Sequence, residues 1–340
     1  MSSDFNVAFI IPTGIGCAIG GHAGDATPAA NLIAETCDKL ILNPNVVNAS
    51  DINEMPKNGL YVEGSILDGF LRGEYFLEEV RSNRIGVVVN KPARPDTINA
   101  VNASITTLGI DAEIIDLDNE LFMSGFYKDG LPTGYHSGIG ELIEQLKPLN
   151  NFDAFAIATE IKVDEKTSLS YFMDSNRFNP WGWIEARVSN AIAKALKKPV
   201  AHAPIEIGAL TNEALFNLPF QHVVDPRKAP EVISNCFLHC VMKGLHKAPR
   251  IRDIGIHRNS IAALITPDYC WGQAHAACYS AGIPIIAVKE NASMAGKVSS
   301  DSIHVENYLE AAGVLLCMKA GIKTSSVRKQ LTDNYENKKN

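Results

Sequence analysis

The sequence is short of the features that would send it to a membrane, to nucleic acid or to an oxidising compartment. No apolar run approaches the ~20 residues of a bilayer-spanning helix. Lys/Arg-rich blocks are absent, and acidic residues outnumber basic ones, 38 to 31, for a net charge of −7. A nucleic-acid partner, which would need a basic face, is therefore not expected. Cysteine is scarce, seven in 340 residues, odd in number and scattered. That pattern suits a reducing compartment better than a disulfide framework. The start, MSSDFNVAFIIPTG, has no basic segment ahead of its apolar run, so no secretory leader is expected. Cytoplasm is the expected location, with an organelle as the alternative if a transit peptide has been trimmed. Neither CxxC nor HExxH occurs, so zinc has no motif to bind.

What is present is a large apolar fraction, 46%, in a chain long enough for one large or two ordinary domains. Short Val/Ile-rich runs alternate with amphipathic stretches. Strands are expected at Val7–Ile11, Leu40–Leu42, Leu60–Val62, Ile85–Val89, Glu113–Leu117, Phe155–Thr159, Pro199–His202, Ile261–Thr266 and Pro284–Val288. Helices are expected at Pro28–Cys37, Asp96–Thr107, Gly138–Leu146, Trp181–Leu196, Pro230–Leu245, Gln273–Ala281 and Val305–Ala320. Thr27 is the expected N-cap ahead of Pro28, and Gly321 the stop of the last helix. Little alternation within the strands implies burial on both faces. The expected fold is a three-layer α/β protein, mainly parallel, with helices on both faces and room for two lobes around a cleft. The expected division is an N-terminal lobe over residues 1–150, a C-terminal lobe over 151–325 and a fraying tail over 326–340.

The stretch TGIGCAIGGHAGDATP, Thr13–Pro28, links the first strand to the first helix. It is long for such a link, where about 2–6 residues are usual, and long loops in this position tend to bind something. Two familiar readings fail on spacing. Gly14 and Gly16 fit a dinucleotide fingerprint, but its third glycine position is Ile19. Gly16 and Gly21 fit a phosphate loop, but His22 stands where Lys is needed. No NAD or ATP is expected, and no other cofactor. Gly14, Gly16, Gly20, Gly21 and Gly24 would instead offer N–H groups to a substrate anion. Asp25 either caps the next helix or handles a proton. Asp25, Glu63 and Asp68 have the chemistry for Mg²⁺, but no spacing calls for a metal.

Other candidates sit at strand ends. Asn43, Asn45 and Asn48 suit a carboxylate or amide ligand, and equally suit turns. Glu63 ends the third strand. Lys91 and Arg94 follow the fourth and could hold an anion, or lie on a solvated loop. Glu160 ends an apolar strand. Asn179, Trp181 and Glu185 stand at a helix entrance. His202, at another strand end, is a candidate general base, with Glu206 beyond it. Cys270 lies just past a strand and before a helix whose dipole can favour a thiolate; His275 is close, and Glu290 and Asn291 end the next strand. Cys236, His239 and Cys240 share a helix and are read as core.

PTGIGCAIGGHAGDATP, NPNVVNAS, LYVEG, NPWGWIEA, AHAP and TPDYCWGQAHAACYSAGIPIIAVKEN together resemble a full-length family catalogued as domain of unknown function 3326. The resemblance runs from Ile11 to about Asn291. It implies no activity. A fainter likeness links the chain to aspartate/glutamate racemases, whose cysteines follow strands in a CNTAH-like motif. Here Cys270-Trp271-Gly272-Gln273-Ala274-His275 carries one extra residue and lacks the Asn-Thr pair.

The expected function is an enzyme acting on a small anionic metabolite, a carboxylate or amide, by acid–base or thiol-assisted chemistry: isomerase, lyase or hydrolase. Asp25, His22, Glu63 and His202 are its candidate proton carriers, and Cys270 or Cys17 its nucleophile. The rivals are a cofactor-independent racemase using Cys17 and Cys270 as paired thiols, and a ligand-binding or regulatory protein without turnover. A homo-oligomer is compatible with each.

Overall fold

The computed structural model describes residues 4–12, 16–22, 24–174, 177–203, 226–228, 237–293 and 301–327. In chain order the elements are β1 (Asn6–Phe9), α1 (Thr27–Ala34), β2 (Lys39–Leu42), β3 (Gly59–Tyr61), α2 (Gly64–Arg72), β4 (Phe76–Glu78), β5 (Ile85–Asn90), α3 (Pro95–Leu108), β6 (Ala112–Leu117), β7 (Phe122–Lys128), β8 (Leu131–Ser137), α4 (Ile139–Leu146), β9 (Ala154–Ala158) and α5 (Glu165–Met173). They continue as α6 (Gly182–Leu196), β10 (Val200–His202), α7 (Phe237–Lys247), β11 (Arg250–Arg252), β12 (Ile261–Pro267), α8 (Gln273–Ser280), β13 (Ile285–Val288), β14 (Ile303–Val305) and α9 (Tyr308–Lys319).

The Val/Ile-rich runs form two parallel sheets. One has six strands in the order β14-β13-β12-β1-β2-β3; the other has four, β10-β9-β5-β6. Both faces of each sheet are covered, which is why the strands are apolar without alternation. Within β1, Val7 and Phe9 face α1 and α9, packing with Ile33, Ala311 and Leu315. Ala8 faces the opposite way, toward Ile66 and Phe70 of α2 and Cys278 of α8. In β9, Phe155 and Ile157 join that same central cluster, with Ile184 and Val188 of α6. Ala154, Ala156 and Ala158 face α3 and α7. One core therefore runs between the two sheets, through α2, α6 and α8. The α/β, largely parallel class expected from the sequence is what the chain adopts.

The six-stranded sheet takes β1–β3 from the start of the chain and β12–β14 from its end. Asn150 lies between α4 and β9, inside the stretch that builds the four-stranded sheet. α2 illustrates how locally this is encoded. Ile66, Leu67, Phe70 and Leu71 make one buried stripe, and Gly73 at φ 76° ends the helix in the left-handed region. Truncating Phe70 to Ala would cost about 3–5 kcal/mol.

All nine expected strands are present, shifted by a residue or two at their ends. The hairpin β7–β8 was outside the expectation. It is antiparallel and belongs to neither large sheet, and its turn uses Asp129 at φ 53° and Gly130 at φ 79°. That Asp-Gly pair is the recognisable hairpin signal. Helices α2 and α5 were also not foreseen. α1 starts at Thr27 itself, with Ala26 in the cap position and no side-chain cap, so Thr27 is not the N-cap. Gly321, at φ 69°, follows the end of α9 as expected. Of the expected helix Pro230–Leu245, residues 230–236 lie outside the described residues.

Candidate functional site

Counted from the chain start, the six-stranded sheet has the order 3-2-1-4-5-6, with the four-stranded lobe inserted between its third and fourth strands. Its strand order reverses between β1 and β12, which pair in parallel from Val7↔Ala263 to Phe9↔Ile265. A crevice opens outside the carboxyl ends of strands at such a point. The two loops flanking it are the glycine-rich loop after β1 and the Asp268–Gly272 turn after β12.

The second loop carries a hydrogen-bonded chain. The Gly272 N–H donates to Nδ1 of His275 at 3.0 Å, which makes Nδ1 an acceptor. In a neutral ring Nε2 then holds the hydrogen. Nε2 lies 2.8 Å from Thr266 Oγ1, and Thr266 Oγ1 lies 3.0 Å from Cys270 Sγ. The Thr266 hydroxyl, already accepting from the ring, is left to donate to sulfur. Nε2 is itself 3.3 Å from Sγ. Every hydrogen in the chain therefore points toward Cys270. Burial pushes the Cys270 thiol up to about 11; the Thr266 hydroxyl pulls against this and the Asp268 charge adds to it. Burial also holds His275 down at about 4. Both are neutral at pH 7. The turn is strained at Tyr269, a bulky residue at φ 54°. Beside it, the Trp271 ring stacks over His275 at 5.8 Å.

Cys17, from the glycine loop, lies near enough to Cys270 for their charges to interact. Burial pushes its thiol well above the ordinary range, and the nearby Cys270 and Asp25 charges push it further. The loop itself is clamped. Gly20, at φ 72°, and Gly24, at φ 69°, lie against the 43–48 loop. A Cβ at Gly24 would meet Pro44 O at 2.5 Å and Asn48 N at 2.6 Å. At Gly21 it would meet Cys17 O at 2.2 Å. These glycines are required by close backbone approach. Gly16 is also at positive φ, 70°. Gly14 lies outside the described residues. Asp25 Oδ1 accepts from Gly20 N–H at 2.5 Å and so closes the loop rather than capping α1.

Three asparagines do one structural job. Asn43 accepts from Ile11 N–H at 3.1 Å and donates to Ile11 O at 2.8 Å. Asn291 treats Ile19 the same way, at 2.7 and 2.9 Å, and also donates to Tyr308 Oη. Asn90 does so with Leu121, at 2.9 and 3.0 Å. Each side-chain amide pairs with one backbone residue as a neighbouring strand would. Asn45 donates to Gly20 O, and Asn48 accepts from Ser50 N–H. Asn179 accepts from Trp181 and Gly182 N–H at the start of α6. Glu290 accepts from Tyr308 N–H at the start of α9.

Glu63 is fully enclosed at the end of β3. Burial raises its carboxyl to about 8, opposed by a hydrogen bond from Tyr61, and its Oε1 has no hydrogen-bond partner among the described residues. Burial also raises Asp68. His22 leaves the loop toward the other lobe, where Nδ1 lies 3.2 Å from Tyr171 Oη. The Tyr171 ring meets Trp181 edge-on at 5.9 Å. Lys228 is wholly buried over that ring, 4.4 Å from its centre, donating to the Tyr171 and Asp174 carbonyls.

At the edge of the four-stranded sheet, His202 Nδ1 lies 3.3 Å from Glu185 Oε1 and Nε2 lies 3.1 Å from Thr159 Oγ1. Lys91 is exposed and paired with Asp118 at 2.9 Å; Arg94 pairs with Asp96 at 2.9 Å. Burial raises the half-buried Glu160, with Lys162 and Arg94 opposing. Glu206 and Cys236 lie outside the described residues. Thr266, Thr159, Tyr171 and Lys228 were not singled out from the sequence. A threonine closing a strand and a lysine in a polar loop carry no signal of their own. Among the described residues, no group of three or more His, Cys, Asp or Glu side chains is arranged to hold a metal. Among them too, no helix is long and apolar enough to cross a membrane.

No solved structure matches the chain. A protein of Synechococcus sp. named an uncharacterised lipoprotein is 32% identical over 338 residues, covering 94% of this chain and 92% of its own length. Residues 6–328 match the family described as "Protein of unknown function (DUF3326)", and the chain belongs to that family.

Proposed function

We propose that the protein is an enzyme acting on a small anionic metabolite, a carboxylate or amide, in the crevice between β1 and β12. The reaction is acid–base or thiol-assisted, within the isomerase, lyase or hydrolase classes. One observation carries this reading: the Gly272–His275–Thr266 chain points its hydrogens at Cys270, beside Cys17, at the switch point of the sheet. Burial keeps the resting thiol neutral, and donors aimed at the sulfur oppose that effect by stabilising the thiolate, the reactive form, once a proton is removed. The glycine loop forms the facing wall. Its Ile19 and Gly20 N–H groups are engaged by Asn291 and Asp25, so the loop acts as a rigid frame more than as an open anion cradle.

Alkylation compares two probes of similar size. Iodoacetate, an anion, is expected to modify Cys270 faster than neutral iodoacetamide in the native protein, reversing their order on the unfolded chain. Equal or inverted rates at Cys270 in the native protein would remove the anion-binding crevice. The Cys17–Cys270 neighbourhood favours a second reading, a paired-thiol racemase. It predicts exchange of a substrate α-hydrogen with deuterated water, lost in both Cys17→Ala and Cys270→Ala. A cytoplasmic location rests on the free thiols, six among the described residues. The relative's name raises lipid anchoring as the competing location, which cell fractionation separates.

A further inference from the structure

We propose that α9 is the pairing face of a homodimer, in which the α9 helices of two copies of the chain pack antiparallel about a two-fold axis. This does not depend on the Cys270 reading: α9 covers the face of the six-stranded sheet opposite to α2 and α8. The helix is apolar on every side. Between Glu310 and Lys319 it reads AAGVLLCM, more than two turns without a polar side chain. A helix of that kind is normally covered all round. One side is covered here, since Ala311, Ala312, Val314 and Leu315 are buried toward α1 and β13. The other side is open. Leu309 is 72% exposed and Leu316 52%, and with the exposed Gly313 and Ala320 they form one stripe at i, i+4, i+7 and i+11.

Glycine weakens a helix interior relative to alanine, so Gly313 needs a reason. Among the described residues no atom lies within 4 Å of the place its Cβ would take, so the chain's own packing does not call for glycine there. A second helix lying against the stripe does. The stripe is complementary to itself in one register. With the axis level with the Val314–Leu315 peptide bond, Leu316 of one copy meets Gly313 of the other and Leu309 meets Ala320, large against small. The same register sets Glu310 opposite Lys319 and, beyond the helix ends, Glu306 opposite Lys323. Within one chain Glu306 pairs with Lys289 and Lys319 with Asp38, exposed contacts that cost little to share or exchange. The acidic end and the net charge of −7 disfavour an anionic lipid surface as the occupant. A contact built on one twelve-residue helix is small for a stable interface, so the dimer is expected to dissociate in the micromolar range.

Sedimentation equilibrium of the whole chain from about 1 to 200 µM should show a monomer–dimer equilibrium. Leu316→Glu should weaken it by about 100-fold or more. Gly313→Gln should weaken it as well while raising the melting temperature of the dilute monomer, because glutamine is the better helix former. Leu309→Cys/Ala320→Cys, oxidised and mapped by mass spectrometry, should yield an interchain disulfide joining position 309 to position 320. Within one chain these positions are three turns apart, about 16 Å, too far to bridge. A chain that stays monomeric over the whole range overturns the proposal. So does a dimer that persists in folded Leu316→Glu or Gly313→Gln, or one whose oxidised form lacks the 309–320 bond. A monomer that binds phosphatidylserine vesicles, and loses them in Leu316→Glu, gives the face to a membrane and overturns it too.

Discussion

Each sheet ends in a threonine–histidine pair, and the two pairs run in opposite directions. At the six-stranded edge, His275 Nδ1 accepts from a backbone N–H, so its hydrogen sits on Nε2 and is passed through Thr266 toward Cys270. At the four-stranded edge, His202 Nδ1 faces the Glu185 carboxylate, so Nε2 takes a hydrogen from Thr159. The same two side chains feed hydrogens to a sulfur in one place and draw a hydrogen from an oxygen in the other. What decides is the group behind the ring: a donor in one case, an acceptor in the other. The surroundings differ in the same sense. Glu63, His275 and Cys270 are held neutral at pH 7 by burial. The four-stranded edge carries the ion pairs Lys91–Asp118 and Arg94–Asp96, and the His202–Glu185 hydrogen bond.

The neutral character of the six-stranded edge has the largest expected consequence. Glu63 titrates at about 8 in the folded chain against 4.5 for the free side chain. Between those values the folded state binds more protons than the unfolded one, so stability falls as pH rises through the window. The loss is on the order of 4 kcal/mol, and Glu63→Gln should abolish it. Denaturant unfolding at pH 5 and pH 8 measures it. Because His275 contributes with the opposite sign at pH 5, the wild type is compared with Glu63→Gln: a pH 5 to pH 8 difference identical in the two proteins would mean that Glu63 is ionised and that the edge is wet.

His275 acts with the opposite sign. It titrates at about 4 when folded against 6.5 for the free ring. The folded state binds fewer protons in that interval. Stability is full above pH 6.5 and declines toward pH 4, by on the order of 3 kcal/mol. His275→Gln keeps an acceptor for Gly272 and should flatten the acid limb. An acid limb of unchanged slope in the variant would break the assignment.

Substituting the two threonines by valine compares the pairs directly. Thr266→Val strands both the His275 donor and the contact to sulfur, and should cost about 2–3 kcal/mol. Thr159→Val strands one acceptor, and should cost about 1 kcal/mol. A reversed order in urea unfolding would contradict the polarity drawn for the two chains. Lys91→Ala, by contrast, removes an exposed pair and should leave the melting temperature unchanged within error.

Much of the fold was legible because each β-run is short and apolar and most are followed by a helical pattern. Strands such as Ile261–Thr266 and Phe155–Thr159 are buried on both faces and announce themselves by composition. The β7–β8 hairpin did not, because its strands pack on one side only and mix Gly, Ser and Thr among aromatics; its Asp129-Gly130 turn was the readable clue. The glycine loop was legible as a special backbone. What its glycines accommodate, the neighbouring 43–48 loop, is a contact between distant segments that no local pattern encodes. The same holds for Asn43 and Asn291, whose pairing with Ile11 and Ile19 needs coordinates. Cys270 and His202 were visible as strand-end residues. Their threonine partners were visible only as the last letters of strands, since a hydrogen-bond direction depends on what stands behind the ring.

That direction is directly measurable. Long-range ¹H–¹⁵N correlation spectra of the imidazoles at pH 7, assigned with His275→Gln and His202→Asn, report which nitrogen of each ring carries hydrogen. Hydrogen on Nε2 of His275 and on Nδ1 of His202 is the predicted result. The same tautomer on both rings, or the two exchanged, would contradict the account.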